Sequence, residues 1–147
     1  MPRRSPSLIL IHVVWATARR ARLLHPSFDP MLIALMGAKA RELNCALIAG
    51  GCAPDHVHTV FDLAASVRLA DLVQRLKGAS AHEIHRTSPR GRLIRWQAGY
   101  WAESLGPADL DDLGHYVVSQ RVHHDSSHPA ERWQFGDERE PALPGGL

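Results

Sequence analysis

Leu47-Ile48-Ala49-Gly50-Gly51-Cys52-Ala53-Pro54-Asp55-His56-Val57-His58-Thr59-Val60-Phe61-Asp62-Leu63 is the stretch on which the fold turns. Its first arm, Leu47 to Ala53, ends at Gly50-Gly51 and Pro54-Asp55, residues that favour a turn, and Val57 to Leu63 reads as the returning strand. The reading is an antiparallel hairpin. Side chains alternate along a strand with period two, so His56 and His58 leave the same face. Two imidazoles on one face make a two-toothed clamp for a metal ion.

Working outward, Ser7 to Thr17 reads as a strand, carrying β-branched Ile9, Ile11, Val13 and Val14 together with Trp15. Arg19-Arg20-Ala21-Arg22 follows as a basic loop. Asp29-Pro30 gives a cap and a proline at the first helical position, and Leu32, Leu35, Met36 and Leu43 form a helical stripe up to Asn44. Beyond the hairpin, Ser66 caps a second helix that turns Leu69, Leu72, Val73 and Leu76 inward and Arg68, Arg75 and Lys77 outward. Ser88-Pro89-Arg90-Gly91 breaks it. A short strand lies around Tyr100 to Leu105, Gly106-Pro107 punctuates, and a helix runs from Asp109 to His123.

The order βαββαβ predicts an α+β fold of the ferredoxin-like kind, an antiparallel sheet with two helices on one face. The added C-terminal helix carries Tyr116, and it must pack on or beside the sheet. At 147 residues the chain reads as one domain, with its core at about 7–124 and a polar tail at 125–147. No apolar run is long enough to span a bilayer. The opening residues mimic a signal peptide, but His12 and Trp15 interrupt the run and no small-residue cleavage site follows, so a cytoplasmic location is expected. Cys45 and Cys52 are the only cysteines; on one straight strand they would face opposite ways, so two buried thiols are expected rather than a disulfide.

Net charge is +2, but it is unevenly spread: residues 1–95 hold fourteen Lys and Arg against six Asp and Glu, and residues 96–147 hold three against nine. Fifteen of the seventeen cations are Arg, which forks onto phosphate and stacks on bases. The basic loop of Arg19, Arg20 and Arg22 and the second helix with Arg68, Arg75 and Lys77 are the candidate surface should the chain bind nucleic-acid phosphates.

Tyr116 and Gln120, spaced i, i+4 on the last helix, share one face. A metal on His56 and His58, completed by the amide oxygen of Gln120, would polarise a phosphoryl oxygen. Tyr116 is then the candidate nucleophile, and its product, a covalent phosphotyrosine, would conserve the energy of the broken bond. No nucleotide cofactor is needed for rejoining. Taken singly, each residue has a plainer reading: a core histidine, a half-buried tyrosine, a solvated amide. Asp55 reads either as a turn-stabilising residue or as a partner for an imidazole or an arginine. Tyr100, beside Trp101, reads as packing, and His123 and His124 stand near the helix end.

Pro54-Asp55-His56-Val57-His58, Arg75-Leu76-Lys77-Gly78, Trp96-Gln97-Ala98-Gly99-Tyr100-Trp101 and Tyr116-Val117-Val118-Ser119-Gln120-Arg121-Val122-His123-His124 occur here in that order. Over about residues 7 to 124 the chain resembles the single-tyrosine HUH transposases, the small enzymes of bacterial insertion sequences and their REP-associated relatives. The resemblance implies an RRM-like fold, a homodimer, and Tyr116 as nucleophile. It also implies Mg²⁺ or Mn²⁺ on His56, His58 and Gln120, although two imidazoles alone would suggest zinc, nickel or copper first. Single-stranded DNA with hairpin ends is the implied partner. The reading is a transposase that cleaves and rejoins single strands. Its alternatives are a domesticated REP-associated endonuclease, a non-catalytic hairpin-binding protein, and a small metal-dependent oxidase or hydrolase.

Overall fold

Strands β1 (Leu10–Ala16) and β3 (His56–Asp62) are buried along nearly their whole length, as expected of strands covered on both faces. In the computed structural model, which describes residues 6–121, they form the centre of a four-stranded antiparallel sheet. Strand β2 (Ala46–Ala53) flanks β3, and β4 (Trp101–Ser104) flanks β1, giving the order β2-β3-β1-β4. This is the ferredoxin-like sheet predicted from the sequence.

Alternation along β1 and β3 divides the molecule. Val13 and Trp15 of β1 and Val57 and Phe61 of β3 enter one apolar core with Leu32, Met36 and Ala40 of α1 (Asp29–Glu42) and Leu72, Val73, Leu76 and Ile84 of α2 (Leu69–Thr87). Each large side chain so buried contributes roughly 1.5–3 kcal/mol. On the opposite face, Val60 packs with Leu113, Tyr116 and Val117 of α3 (Leu110–Val118). His12, His56 and His58 occupy the strand positions in phase with Val60, and so share the α3 face.

Several expected boundaries move, for local reasons. Helix α2 begins at Leu69 rather than after a Ser66 cap, because Val67 N donates to Ala64 O and closes a turn around Ser66; Arg68 is the N-cap, with no side-chain hydrogen bond. Asp29 is inside α1 rather than its cap, and its carboxylate receives Arg121 at 2.7 and 2.8 Å. Helix α1 stops at Glu42, and Asn44 adopts the left-handed conformation (φ 59°) that ends such a segment. The last helix is interrupted by a turn at Ser119, and His123, His124 and the tail lie outside the described residues.

The two cysteines correct an expectation. Cys45 precedes β2, and pairing shifts register between Leu47 and Ala49, so the straight-strand rule fails and both cysteines enter the same core. Both thiols are free, and burial pushes that of Cys52 up to about 12.

Two of the sequence motifs meet far from the histidines. Lys77 Nζ donates to the carbonyls of Gln97 (2.7 Å) and Gly99 (3.0 Å), while Trp96 Nε1 donates back to Lys77 O (3.0 Å) and Ser80 Oγ (3.1 Å). Gly99, at φ 87°, supplies the backbone turn that aims its carbonyl. Lys77, expected to point outward, is half-buried, and desolvation lowers its pKa. It ties α2 to the segment that leads into β4.

Candidate active site

The turn Pro54-Asp55 delivers β3 so that His56 and His58 are fully buried side by side, with ring centroids 5.0 Å apart. Each ring is held at Nδ1. His56 Nδ1 meets Asp55 Oδ1 at 2.6 Å, and His58 Nδ1 meets His12 Nε2 at 2.8 Å. Asp55 also accepts from Arg20 Nε at 3.1 Å. Burial pushes the Asp55 carboxyl up, but the hydrogen bonds from His56 and Arg20, reinforced by their charge, outweigh it and hold the pKa at about 2. The carboxylate therefore serves the imidazole and the arginine together, and its backbone carbonyl accepts from both N and Oγ1 of Thr17.

Arg20 reaches Asp55 from an unusual backbone. Arg19 and Arg20 have φ of 58° and 53°, a region that costs a non-glycine residue roughly 1–2 kcal/mol. Neighbouring contacts hold the loop there: Ala18 N donates to Arg95 O, and Thr17 Oγ1 donates to Ala21 O at 2.7 Å.

Helix α3 sits on β2 and β3 through a close approach at Gly51. A Cβ at that position would stand 1.8 Å from the carbonyl oxygen of Val117, so only glycine admits the helix at this height. The seat brings the Tyr116 ring edge-on to His58, with centroids 5.6 Å apart and planes at 85°. Tyr116 is 3% exposed and Gln120 1%. One turn on, Gln120 Nε2 donates to the Tyr116 carbonyl at 3.0 Å.

The donor set suits a metal. Each of the three candidate ligands has its other polar atom engaged, His56 Nδ1 by Asp55, His58 Nδ1 by His12 and Gln120 Nε2 by Tyr116 O. A metal at this site would take Nε2, Nε2 and Oε1, the arrangement that outer partners typically impose on ligating residues. Among the described residues no three His, Cys, Asp or Glu side chains gather as a metal group. The third candidate ligand here is an amide.

The six cations proposed for DNA divide into two sets. Arg19, Arg20 and Arg22 lie in the loop after β1, and Arg20 reaches Asp55, the partner of His56. Arg22 also lines a cavity of about 610 Å³ with Arg90 and Arg121, next to Pro54. Arg68, the N-cap of α2, and Arg75 and Lys77 within it lie across the sheet from the histidines. There Arg68 pairs with Asp71 at 3.1 Å, Arg75 with Glu42 of α1 at 2.6 Å, and Lys77 holds the two carbonyls.

Sequence reasoning missed His12, which it used only as an interruption of an apolar run. The signal was a polar residue inside a strand that is otherwise β-branched and aromatic. Arg90 and Arg121 were also missed as neighbours of the basic loop.

The sheet is ferredoxin-like, and it carries paired histidines on a central strand that face a tyrosine on α3. Residues 5–120 match the family of IS200-like transposases, and the chain belongs to that family. No curated protein matches it. Among solved structures it is similar to a protein of Deinococcus radiodurans R1 provisionally assigned as a transposase, at 23% identity and a TM-score of 0.61, over 82% of this chain and 97% of that one. It is also similar to a REP-associated tyrosine transposase bound to a REP hairpin, at 18% identity and a TM-score of 0.60, over 84% of this chain and 74% of that one. At these identities the two structures speak to the fold.

Proposed function

We propose that this transposase cuts and rejoins single-stranded DNA through a covalent 5′-phosphotyrosine on Tyr116, with Mg²⁺ or Mn²⁺ held by His56, His58 and Gln120. The observation that carries this reading is the packing of Tyr116 against His58 of its own chain at 5.6 Å, with Gln120 one turn on. The Tyr116 oxygen attacks phosphorus, the new O–P bond forms as the bond to the 3′ oxygen breaks, and that oxygen leaves with a proton. A 3′ hydroxyl attacking the phosphotyrosine reverses the step without a nucleotide cofactor. When bound, the divalent ion supplies Lewis-acid polarisation of the phosphate.

Arg19, Arg20 and Arg22 are assigned to phosphates beside the site. Arg68 and Arg75 are assigned to a hairpin stem that reaches round the sheet, as suggested by the hairpin bound to the REP-associated relative. Lys77, tied to two carbonyls, adds field rather than direct contact.

The test is incubation with labelled single strands carrying a hairpin, followed by denaturing electrophoresis. A covalent adduct should form with Mg²⁺ or Mn²⁺ and vanish in EDTA. Retained binding with no adduct would overturn the enzymatic reading in favour of a hairpin-binding protein. The homodimer is part of the same proposal, and sedimentation showing only monomer at micromolar concentration would remove it. Because one chain carries the whole constellation, mixing His56→Ala with Tyr116→Phe protein should restore no activity; recovery to a fraction of wild type would mean that subunits share sites.

A further inference from the structure

His12 lies in mid-β1 opposite Val60, is 1% exposed, and has its Nε2 2.8 Å from His58 Nδ1. The ring planes differ by 24°, and the 5.1 Å between centroids is the nitrogen-to-nitrogen distance plus two ring radii. The rings therefore meet end to end in nearly a common plane, as a hydrogen bond requires, and not face on face. The edge of Trp101, 5.1 Å away at 80°, flanks His12.

One hydrogen is shared between these nitrogens, so either His58 donates to His12 or the reverse. The site chemistry distinguishes the two. With Nδ1 engaged, His58 can offer a metal only Nε2, and a neutral imidazole with a lone pair on Nε2 carries its hydrogen on Nδ1. The bond must then run from His58 to His12.

We propose that His12 is a positioning residue, a buried acceptor that holds His58 in the Nδ1–H tautomer and turns its Nε2 toward the metal. The proposal rests on the reading of His58 as a ligand, and deepens it. At His56 the same position is taken by Asp55, whose carboxylate meets Nδ1 at 2.6 Å. His12 has either polarity available to it, so the metal-binding geometry at His58 depends on a residue that belongs to a different strand.

Two measurements test this. In metal-free wild type, long-range ¹H–¹⁵N spectra should find the His58 hydrogen on Nδ1; a hydrogen on Nε2 would overturn the proposal without any variant. Mn²⁺ titration by electron paramagnetic resonance should then show affinity falling about 10–100-fold in His12→Phe, which keeps the ring but removes the acceptor. His12→Gln, whose amide oxygen can accept, should recover most of it. Wild-type Mn²⁺ affinity in folded His12→Phe would overturn the assignment of His12 alone, whereas a wild-type protein that binds no Mn²⁺ would overturn the metal reading and this inference with it.

Discussion

The two faces of the same central strands follow different rules. On the α1/α2 face, Val13, Trp15, Val57 and Phe61 fill an apolar core in which volume decides fit. On the α3 face, His12, His56 and His58 are equally buried, yet their contacts are named hydrogen bonds of 2.6 and 2.8 Å. Burial does not separate the two faces; the chemistry of the buried atoms does. One face carries the larger apolar cluster, the other the hydrogen-bonded histidines beside a smaller one, and period-two alternation lets residues 56 to 61 serve both.

The sharpest way to break this comparison is to strike each face once. Tyr116→Phe should lower adduct formation by about 10³-fold or more while leaving thermal stability nearly unchanged, since one oxygen is removed from a packed ring. Tyr100→Phe, in a side chain packed against the other core, should leave the adduct intact. Denaturing gels and melting curves read both, and an adduct that survives in Tyr116→Phe would remove the nucleophile. Phe61→Ala should show the converse weighting, costing about 3–5 kcal/mol in denaturant unfolding.

Gly51→Ala sharpens the comparison at the joint between the faces. Its new methyl meets Val117 O, so α3 must lift, and a displacement of about 1 Å at the tyrosine should cost on the order of 10²-fold in adduct yield. An unchanged yield would mean that the seat does not set the geometry. A smaller effect is expected at Asp55. Its folded-state pKa, about 2, lies below the ordinary carboxylate value, so its stabilisation is complete above pH ~4 and fades as pH falls toward 2. Asp55→Asn should lose on the order of 1 kcal/mol at neutral pH, allowing for solvent screening, and should flatten that acid limb in urea midpoints. Smallest of all, Arg19→Ser should reduce the slope of log affinity against log salt for an unpaired strand by about 0.7, while Arg68→Ser should alter it only for a strand carrying a hairpin.

How far the sequence could be read follows from the range of the forces involved. The hairpin and the shared face of His56 and His58 were legible because turn residues and period-two alternation act locally. Tyr116 and Gln120 were legible as a pair for the same reason, one helical turn apart. His12 was not, because its importance comes from pairing with β3 forty-six residues away. Lys77 was misjudged in the same way: its spacing on α2 suggested solvent, and the carbonyls that draw it inward come from residues 97 and 99. Ser66 had a cap's identity but belonged to the preceding turn, and Cys45 and Cys52 were separated by an irregularity that residue type alone does not announce.

The seat of α3 has a consequence for how the protein breathes. Among the described residues, this helix shares with the sheet a small cluster around Val60, against the broad core beneath α1 and α2. Amide exchange should therefore report α3 opening as a unit at lower free energy than the rest of the sheet. Tyr116 is 3% exposed, so under the proposed chemistry such an opening would give a phosphodiester a route to it. The proposed nucleophile would then ride on the segment expected to open first.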